Sequence, residues 1–272
     1  MNKKNISVVI LAAGKGKRMN NPDLPKVLAL LNNKPLIEYV IELALQSNAA
    51  KIVPIIGHHR DKVISFFESK NYSNLDYVIQ EEQLGTGHAV LQAEKKLYDF
   101  DGDVLILSGD VPLVKLSTIE NFIYEHNKIN SDLSVLSCYA DNPFGYGRIL
   151  RNENNGFERI VEEKDADENI KKIKEINSGI YLVNSKLLFS ALKNIRKNNA
   201  QGEFYLTDIV GILKHNNFSV NSFPLADFEE LQGVNSQDDL INLHLILKKQ
   251  KGEIWLSQST TLELQLKTLN YH

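Results

Sequence analysis

The sequence of 272 residues contains one cysteine, Cys138, so no disulfide can form within the chain and a reducing, intracellular setting is the simplest expectation. No run of eighteen or more apolar residues occurs, and the opening MNKKN leads into a strand pattern rather than a signal-type apolar core, so a cytoplasmic protein with no membrane partner is expected. Overall positive charge is lacking too. Lys and Arg number 31 against 34 acids, a net charge of -3, which argues against a broad basic face and a nucleic-acid partner. Several catalytic signatures are missing. The residues after Gly14 do not supply GxxxxGK[ST], which excludes a Walker loop, and Met19 stands where a dinucleotide fingerprint needs its third glycine. No Ser/His/Asp or Cys/His constellation points to a covalent nucleophile. His88 has no acid or cysteine at ligand spacing, and a packing or capping role is expected for it.

What is present can bury a large core. With 43% hydrophobic residues, the chain fits one large α/β domain or one domain with an appendage. The stretch Ser7 to Leu28, SVVILAAGKGKRMNNPDLPKVL, joins a buried-strand pattern to a loop of small residues surrounded by Lys15, Lys17, Arg18 and Lys26. Ala12, Ala13, Gly14 and Gly16 leave the backbone open to close approach by a ligand. Six Lys or Arg and one acid, Asp23, lie between Met1 and Lys26, so the positive charge is local, as a small polyanion requires. The alternative is an ordinary glycine turn with solvated lysines.

Apolar spacing then predicts a helix over Pro35 to Ser47, a strand over Lys51 to Ile56, a helix over Arg60 to Ser69 and a strand over Leu75 to Ile79. This is a βαβ unit with parallel strands, and it puts a ligand site at the strands' carboxyl ends. Gln80 to Ala89 is a second loop with Gly85 and Gly87 around Thr86; it reads as a base-reading loop or as a turn capped by Thr86. The apolar strand Asp103 to Leu107 ends at Ser108, Gly109 and Asp110, and Asp110 reads as a metal ligand or as the cap of a helix after Pro112. From Leu133 to Val183 strand-like alternation predicts a β-rich insertion. Helices are expected over Ser185 to Asn194, over Phe204 to His215, and from an N-cap at Ser236. Glu203 faces either a ligand or a helix N-terminus.

LAAGKGKRM followed by LPKVL resembles the nucleotide-binding signature of the sugar-phosphate nucleotidyltransferases. QEEQLGTGHAV, GDVPL, GYGRI, VEEKDA, EINSGIY, NNAQGEFYLTD and GVNS follow in the order seen in the bacterial N-acetylglucosamine-1-phosphate uridyltransferases, so the resemblance runs from about Ser7 to about Leu247. It implies an α/β fold: a mainly parallel, doubly wound, Rossmann-like sheet of the nucleotide-diphospho-sugar transferase type, with a β-rich substrate arm and a C-terminal helix. Residues 1–235 would form the nucleotidyltransferase domain and 236–272 the helix and tail. The implied reaction is uridylyl transfer from UTP to N-acetylglucosamine 1-phosphate with release of pyrophosphate.

The resemblance also assigns roles residue by residue. Leu11, Ala12, Ala13, Gly14, Gly16, Gln80, Gly85 and Thr86 correspond to nucleotide contacts, and Gly147, Glu162 and Asn177 to sugar contacts. Arg18 and Lys26 would hold phosphates, and Asp110 and Asn235 would hold Mg²⁺. About twenty-two residues follow Gln250 and they carry no hexapeptide period, so a left-handed β-helix, its acetyltransfer and its trimer are not expected. Two other readings remain: a nucleotidyltransferase for another sugar 1-phosphate or base, and a sensor that binds a nucleotide sugar without turnover.

Overall fold

The structure, a computed structural model, describes residues 5–14, 16, 19 and 24–250. In chain order its elements are β1 (Ile6–Ala12), β2 (Leu30–Leu31), β3 (Lys34–Pro35), α1 (Leu36–Gln46), β4 (Ile52–Ile56), α2 (Arg60–Lys70), β5 (Val78–Ile79), α3 (Thr86–Gln92), α4 (Glu94–Leu97) and β6 (Asp103–Ser108). There follow α5 (Leu116–Lys128), β7 (Leu133–Tyr139), β8 (Arg148–Arg151), β9 (Phe157–Val161), β10 (Glu175–Asn184), α6 (Ser185–Leu192), α7 (Asp208–His215), β11 (Val220–Pro224) and α8 (Gln237–Gln250).

The main sheet runs in the order β11-β7-β10-β6-β1-β4-β5, with β8 and β9 added as an arm on β10. Strand β1 pairs in parallel with both β4 and β6, and the consecutive apolar residues of all three are covered on both sides, which is why they read as unbroken hydrophobic runs. Alternate side chains go to opposite faces. Val8, Ile10, Leu105 and Leu107 pack with Ile37 and Ile41 of α1, Val63 and Phe67 of α2, and Phe122 of α5. Val9, Val53, Ile55, Val104 and Ile106 pack with Val90 of α3, Leu188 and Phe189 of α6, and Ile209 and Leu213 of α7. Helices on both faces make the fold doubly wound, as the sequence predicts.

Strand β10 runs antiparallel to β6, β7 and β8 within this otherwise parallel frame. The direction matters for the site. An antiparallel neighbour brings its N-terminal half to the carboxyl end of β6, so Asn177 and Gly179 arrive beside Ser108; a methyl group on Gly179 would lie 3.6 Å from Ser108 Oγ. Arg151 of β8 grips the buried Glu175 of β10 through two bonds of 2.7 Å, and Ser137 Oγ donates to the same carboxylate at 2.7 Å. This charge-assisted pairing ties the arm to the sheet.

Two elements differ from the sequence reading. The expected strand over Leu75 to Ile79 is regular only at Val78–Ile79. The helix expected over Phe204 to His215 starts at Asp208. Residues before it are held by another element: Phe204 N–H donates to the Leu84 carbonyl at 2.9 Å, and the Phe204 carbonyl accepts from Gly87 N–H at 2.8 Å. Those backbone groups are therefore committed to the Gln80 loop, and helical pairing is closed to them.

Candidate active site

The carboxyl ends of β1, β5 and β6 open into a cavity of about 290 Å³ lined by Leu11, Ala12, Ala13 and Gly14, by Gln80, Gly85 and Thr86, and by Lys26, Ser108 and Asp110. Chain order reverses across β1, with β4 and β5 on one side and β6 on the other, which leaves a crevice there. Gly109 N–H donates to the Leu11 carbonyl at 2.9 Å, so the two loops leave the sheet side by side. Gly16 packs against Lys26 of this lining: its φ is +58°, and a methyl group there would lie 2.9 Å from Lys26 Cβ. Arg18 lies outside the described residues, as do Lys15 and Lys17.

Gln80 is buried, and its amide nitrogen bonds His88 Nδ1 at 2.9 Å and the Gly85 carbonyl at 3.2 Å. His88 thus has a packing role: it orients Gln80 and its ring stacks on Phe204 with centroids 6.3 Å apart. Thr86 is the first residue of α3 rather than its cap, a position taken by Gly85. Its hydroxyl instead accepts from Leu206 N–H at 3.0 Å. Gly85 has φ +118°, and a methyl group there would sit 2.6 Å from the Phe204 carbonyl oxygen. Gly85→Ala is therefore expected to cost about 1–3 kcal/mol through backbone strain, before any effect on ligands, and a denaturant melt measures it. An unchanged midpoint would show that the loop has another conformation.

The charged centre lies at the mouth of this cavity. Lys26 Nζ forms an ion pair with Asp110 and donates to Asn235 Oδ1 at 3.2 Å, joining residues 84 and 209 positions away along the chain. Asp110 caps no helix, because α5 begins at Leu116 with Lys115 before it. Its backbone carbonyl accepts from Val234 N–H at 2.9 Å, which holds the segment carrying Asn235 against the end of β6. Asn235 is fixed from the other side by α8. Asp239 accepts from the backbone N–H of Asn235 and of Ser236, each at 2.8 Å, while Ser236 Oγ accepts from Asp239 N–H at 3.2 Å. This is a reciprocal cap of the Ser-x-x-acid kind. Gln237 donates to the Met19 carbonyl at 3.0 Å, and Met19 is buried with Leu31, Leu36, Val234 and Leu243. Helix α8 therefore braces the far end of the glycine loop and Asn235 together. Asp239→Ala should cost about 1 kcal/mol of stability as a lost cap. It should also raise the metal requirement of any reaction at this site, which a bare loss of stability would leave alone.

The third group lies where the arm joins β10. A methyl group at Gly147 would come 3.4 Å from Glu162 Oε2 and 3.5 Å from Asn177 Cβ, so the three residues the sequence pointed to are brought together. Asn177 Oδ1 accepts from Tyr181 Oη at 3.1 Å and from Gly179 N–H at 3.1 Å, across an irregularity in the pairing of β10 with β7. Burial holds the Glu162 carboxyl above the usual carboxylate range, a hydrogen bond with Thr207 pulls it back, and Asp165 and Asp208 push it further up. Glu203 lines the same cavity as Lys26 and Gln80 and lies outside the first turn of α7. Gln83 and Ser108 also line it. Sequence reasoning missed Gln83, although its place two residues before Gly85 in QLGTG was a usable signal.

The centre tests well as a seat for a divalent cation. One carboxylate oxygen and one amide oxygen converge on a single positive charge, the Lys26 ammonium, and hard oxygens of this kind suit a hard cation that takes its remaining ligands from water and phosphate. Among the described residues there is no cluster of three or more His, Cys, Asp or Glu that would hold a metal unaided. Among the same residues, no helix is long and apolar enough to cross a membrane.

Comparison with known proteins gives the same picture. The chain is 41% identical over 254 residues to the bifunctional protein GlmU of Streptococcus mutans serotype c, covering 93% of this chain and 54% of that protein. It is 42% identical over 245 residues to the bifunctional protein GlmU of Oceanobacillus iheyensis, covering 90% of this chain and 53% of the relative. The chain thus spans about half the length of the curated relatives it matches. In fold it superposes on UDP-glucose pyrophosphorylase complexed with UDP-glucose, with a TM-score of 0.74 at 17% identity over 90% of this chain and 99% of the other. The apo form of UDP-glucose pyrophosphorylase gives 0.72 at 17% identity, with the same coverage of both chains. Residues 7–227 match the family described as nucleotidyl transferase, whose members generally use a divalent metal. With the glycine loop, the crevice at β1 and the Lys26, Asp110 and Asn235 centre all inside or bordering that span, the chain belongs to the nucleotidyl transferase family.

Proposed function

We propose that this chain transfers a uridylyl group from UTP to N-acetylglucosamine 1-phosphate, forming UDP-N-acetylglucosamine and pyrophosphate. The observation that carries this reading is the convergence of Lys26, Asp110 and Asn235 at the mouth of a cavity whose other walls are the glycine loop and the Gln80 loop. The relatives named GlmU support the choice of substrates. The attacking oxygen already belongs to a phosphate, so no general base is needed and the missing Ser/His/Asp constellation raises no difficulty. Catalysis then reduces to holding two anions in line and neutralising their charge. Gln80, Gly85 and Thr86 would receive the base, the backbone from Leu11 to Gly16 and the Arg18 guanidinium the phosphates, and Gly147, Glu162 and Asn177 the acetamido sugar. Lys26 would hold the α-phosphate and the incoming phosphate. Asp110 and Asn235 would hold Mg²⁺, which when bound supplies charge neutralisation at phosphate oxygens.

Pyrophosphate release measured with UTP, dTTP and CTP against several sugar 1-phosphates tests this reading. The UTP and N-acetylglucosamine 1-phosphate pair should give the highest kcat/KM. A higher value with glucose 1-phosphate would identify a different transferase, and binding without turnover would identify a sensor.

Glu162 carries a second prediction. Its folded-state pKa is raised, so its protonated form is favoured by folding: that contribution is present at low pH and is lost as pH rises through the folded value. At neutral pH the buried charge opposes the fold, and Glu162→Gln should melt at a higher temperature there, with the advantage shrinking on acidification. The same variant should raise KM for the sugar phosphate. A variant that melts lower at neutral pH would mean that the Thr207 bond outweighs burial.

A further inference from the structure

The Lys26 ammonium occupies the point at which the two oxygens of the cation seat meet, bonded to Asp110 and 3.2 Å from Asn235 Oδ1. We propose that Lys26 is the resident counter-cation of this seat: in the substrate-free protein its ammonium fills the place between Asp110 and Asn235, and a divalent ion enters only as the ammonium leaves. The proposal rests on Asp110 and Asn235 being metal ligands, as the function above requires.

Three features of the structure carry it. The Lys26 and Asp110 side chains are only 14% and 19% exposed, so a carboxylate here without a cation would be poorly solvated and uncompensated. The root of Lys26 is anchored. It follows Pro25, opens a short 3-10 turn with Val27 buried, and has the Gly16 backbone packed against its Cβ, while the four-carbon stem leaves the head free to swing. The backbone that carries the acceptors is held in place, Asp110 through its carbonyl by Val234 N–H and Asn235 through its N–H by Asp239, so the frame of the seat stays put when the ammonium moves.

An ammonium seated between the two oxygens and a divalent ion compete for the same place, because their mutual repulsion acts where solvent screening is weak. On this proposal the Lys26 ammonium would give up the seat to a divalent ion, and it would then need an anion in reach. The phosphate chain of the nucleotide, in the adjoining cavity, supplies one. Metal and nucleotide then bind with positive linkage, each favouring the other by the same factor. The bare protein resists metal, and Lys26 is delivered to the phosphates only when both have arrived.

The test is a titration of nucleotide-free protein with Mn²⁺ alone, reading free Mn²⁺ by electron paramagnetic resonance. Wild type, Lys26→Met and the double variant Lys26→Met with Asp110→Asn are compared. Methionine keeps the unbranched stem and removes the charge, so Lys26→Met should bind Mn²⁺ with a Kd lower than wild type by about ten-fold or more, the scale of ordinary site-to-site coupling. The double variant should lose that gain. Melting temperatures should follow the same pattern, with Mg²⁺ raising that of Lys26→Met and leaving wild type nearly unchanged. If Lys26→Met does not fold in chelator, Lys26→Gln enters the same titration, and folding restored by Mn²⁺ counts as support. Equal Mn²⁺ affinity in wild type and Lys26→Met, or no binding by either, overturns the proposal. Pyrophosphate release by wild type is scored separately. An active, Mg²⁺-dependent wild type with equal Mn²⁺ affinities removes only the counter-cation role, whereas a wild type without turnover removes the transferase reading itself.

Discussion

Lys26→Ala is expected to lower the turnover number by about 10² to 10³, the scale for removing one preorganised donor aimed at developing charge, with a smaller effect on the affinity for UTP. The split follows from position. Lys26 stands at the junction with Asp110 and Asn235, so in the proposed binding mode its charge would act on the phosphates, while the Gln80 loop on another wall of the same cavity would receive the base. Steady-state kinetics with UTP varied at saturating sugar phosphate measures both numbers. Turnover within about two-fold of wild type would mean that Lys26 is only a structural partner of Asp110.

Asp110→Asn should lower the rate on a similar scale and raise the Mg²⁺ concentration needed for half-maximal rate, because an amide oxygen is a weaker ligand for a hard cation than a carboxylate. The fold should hardly respond. Asp110 caps no helix, and asparagine keeps a side-chain oxygen of the same shape to accept from the Lys26 ammonium, so the change in melting temperature should be small. Complete arrest by chelator and full recovery with Mg²⁺ are expected for wild type. A lowered melting temperature with an unshifted Mg²⁺ curve would assign Asp110 to stability instead of metal.

The two variants make opposite statements about the metal, and together they bound the centre. Removing the carboxylate should weaken the cation's hold, while removing the ammonium should strengthen it in the empty protein and still abolish efficient turnover. A site in which both changes weakened metal binding would be one where Lys26 orders the ligands and does not compete with the ion.

Much of this protein is legible one segment at a time. The apolar run at Ser7 to Leu11 marks a central strand, since β-branched residues in sequence suit a strand covered on both faces. Helical spacing placed α1 and α2 within a residue or two of their observed ends, and Ser236 announced α8. Glycines after strands marked both loops that line the cavity. These are short-range signals: backbone preference, periodicity and capping depend on residues within a turn or two of each other.

Only the tertiary structure decided what meets what. Alternation between Leu133 and Val183 reveals strands but not their partners, so the antiparallel insertion of β10, which carries Asn177 to the end of β6, could not be read from it. The run from Phe204 has helical spacing, yet its first residues pair with the Gln80 loop, because tertiary hydrogen bonds outweigh a weak local propensity. Apart from the resemblance, Lys26 could be a solvated lysine and Asp110 a helix cap, and nothing local linked either to Asn235. Their convergence depends on the parallel register of β1 with β6 and on Val234 closing onto Asp110, contacts whose partners are far apart along the chain and which exist only once the sheet has fixed where its loops emerge.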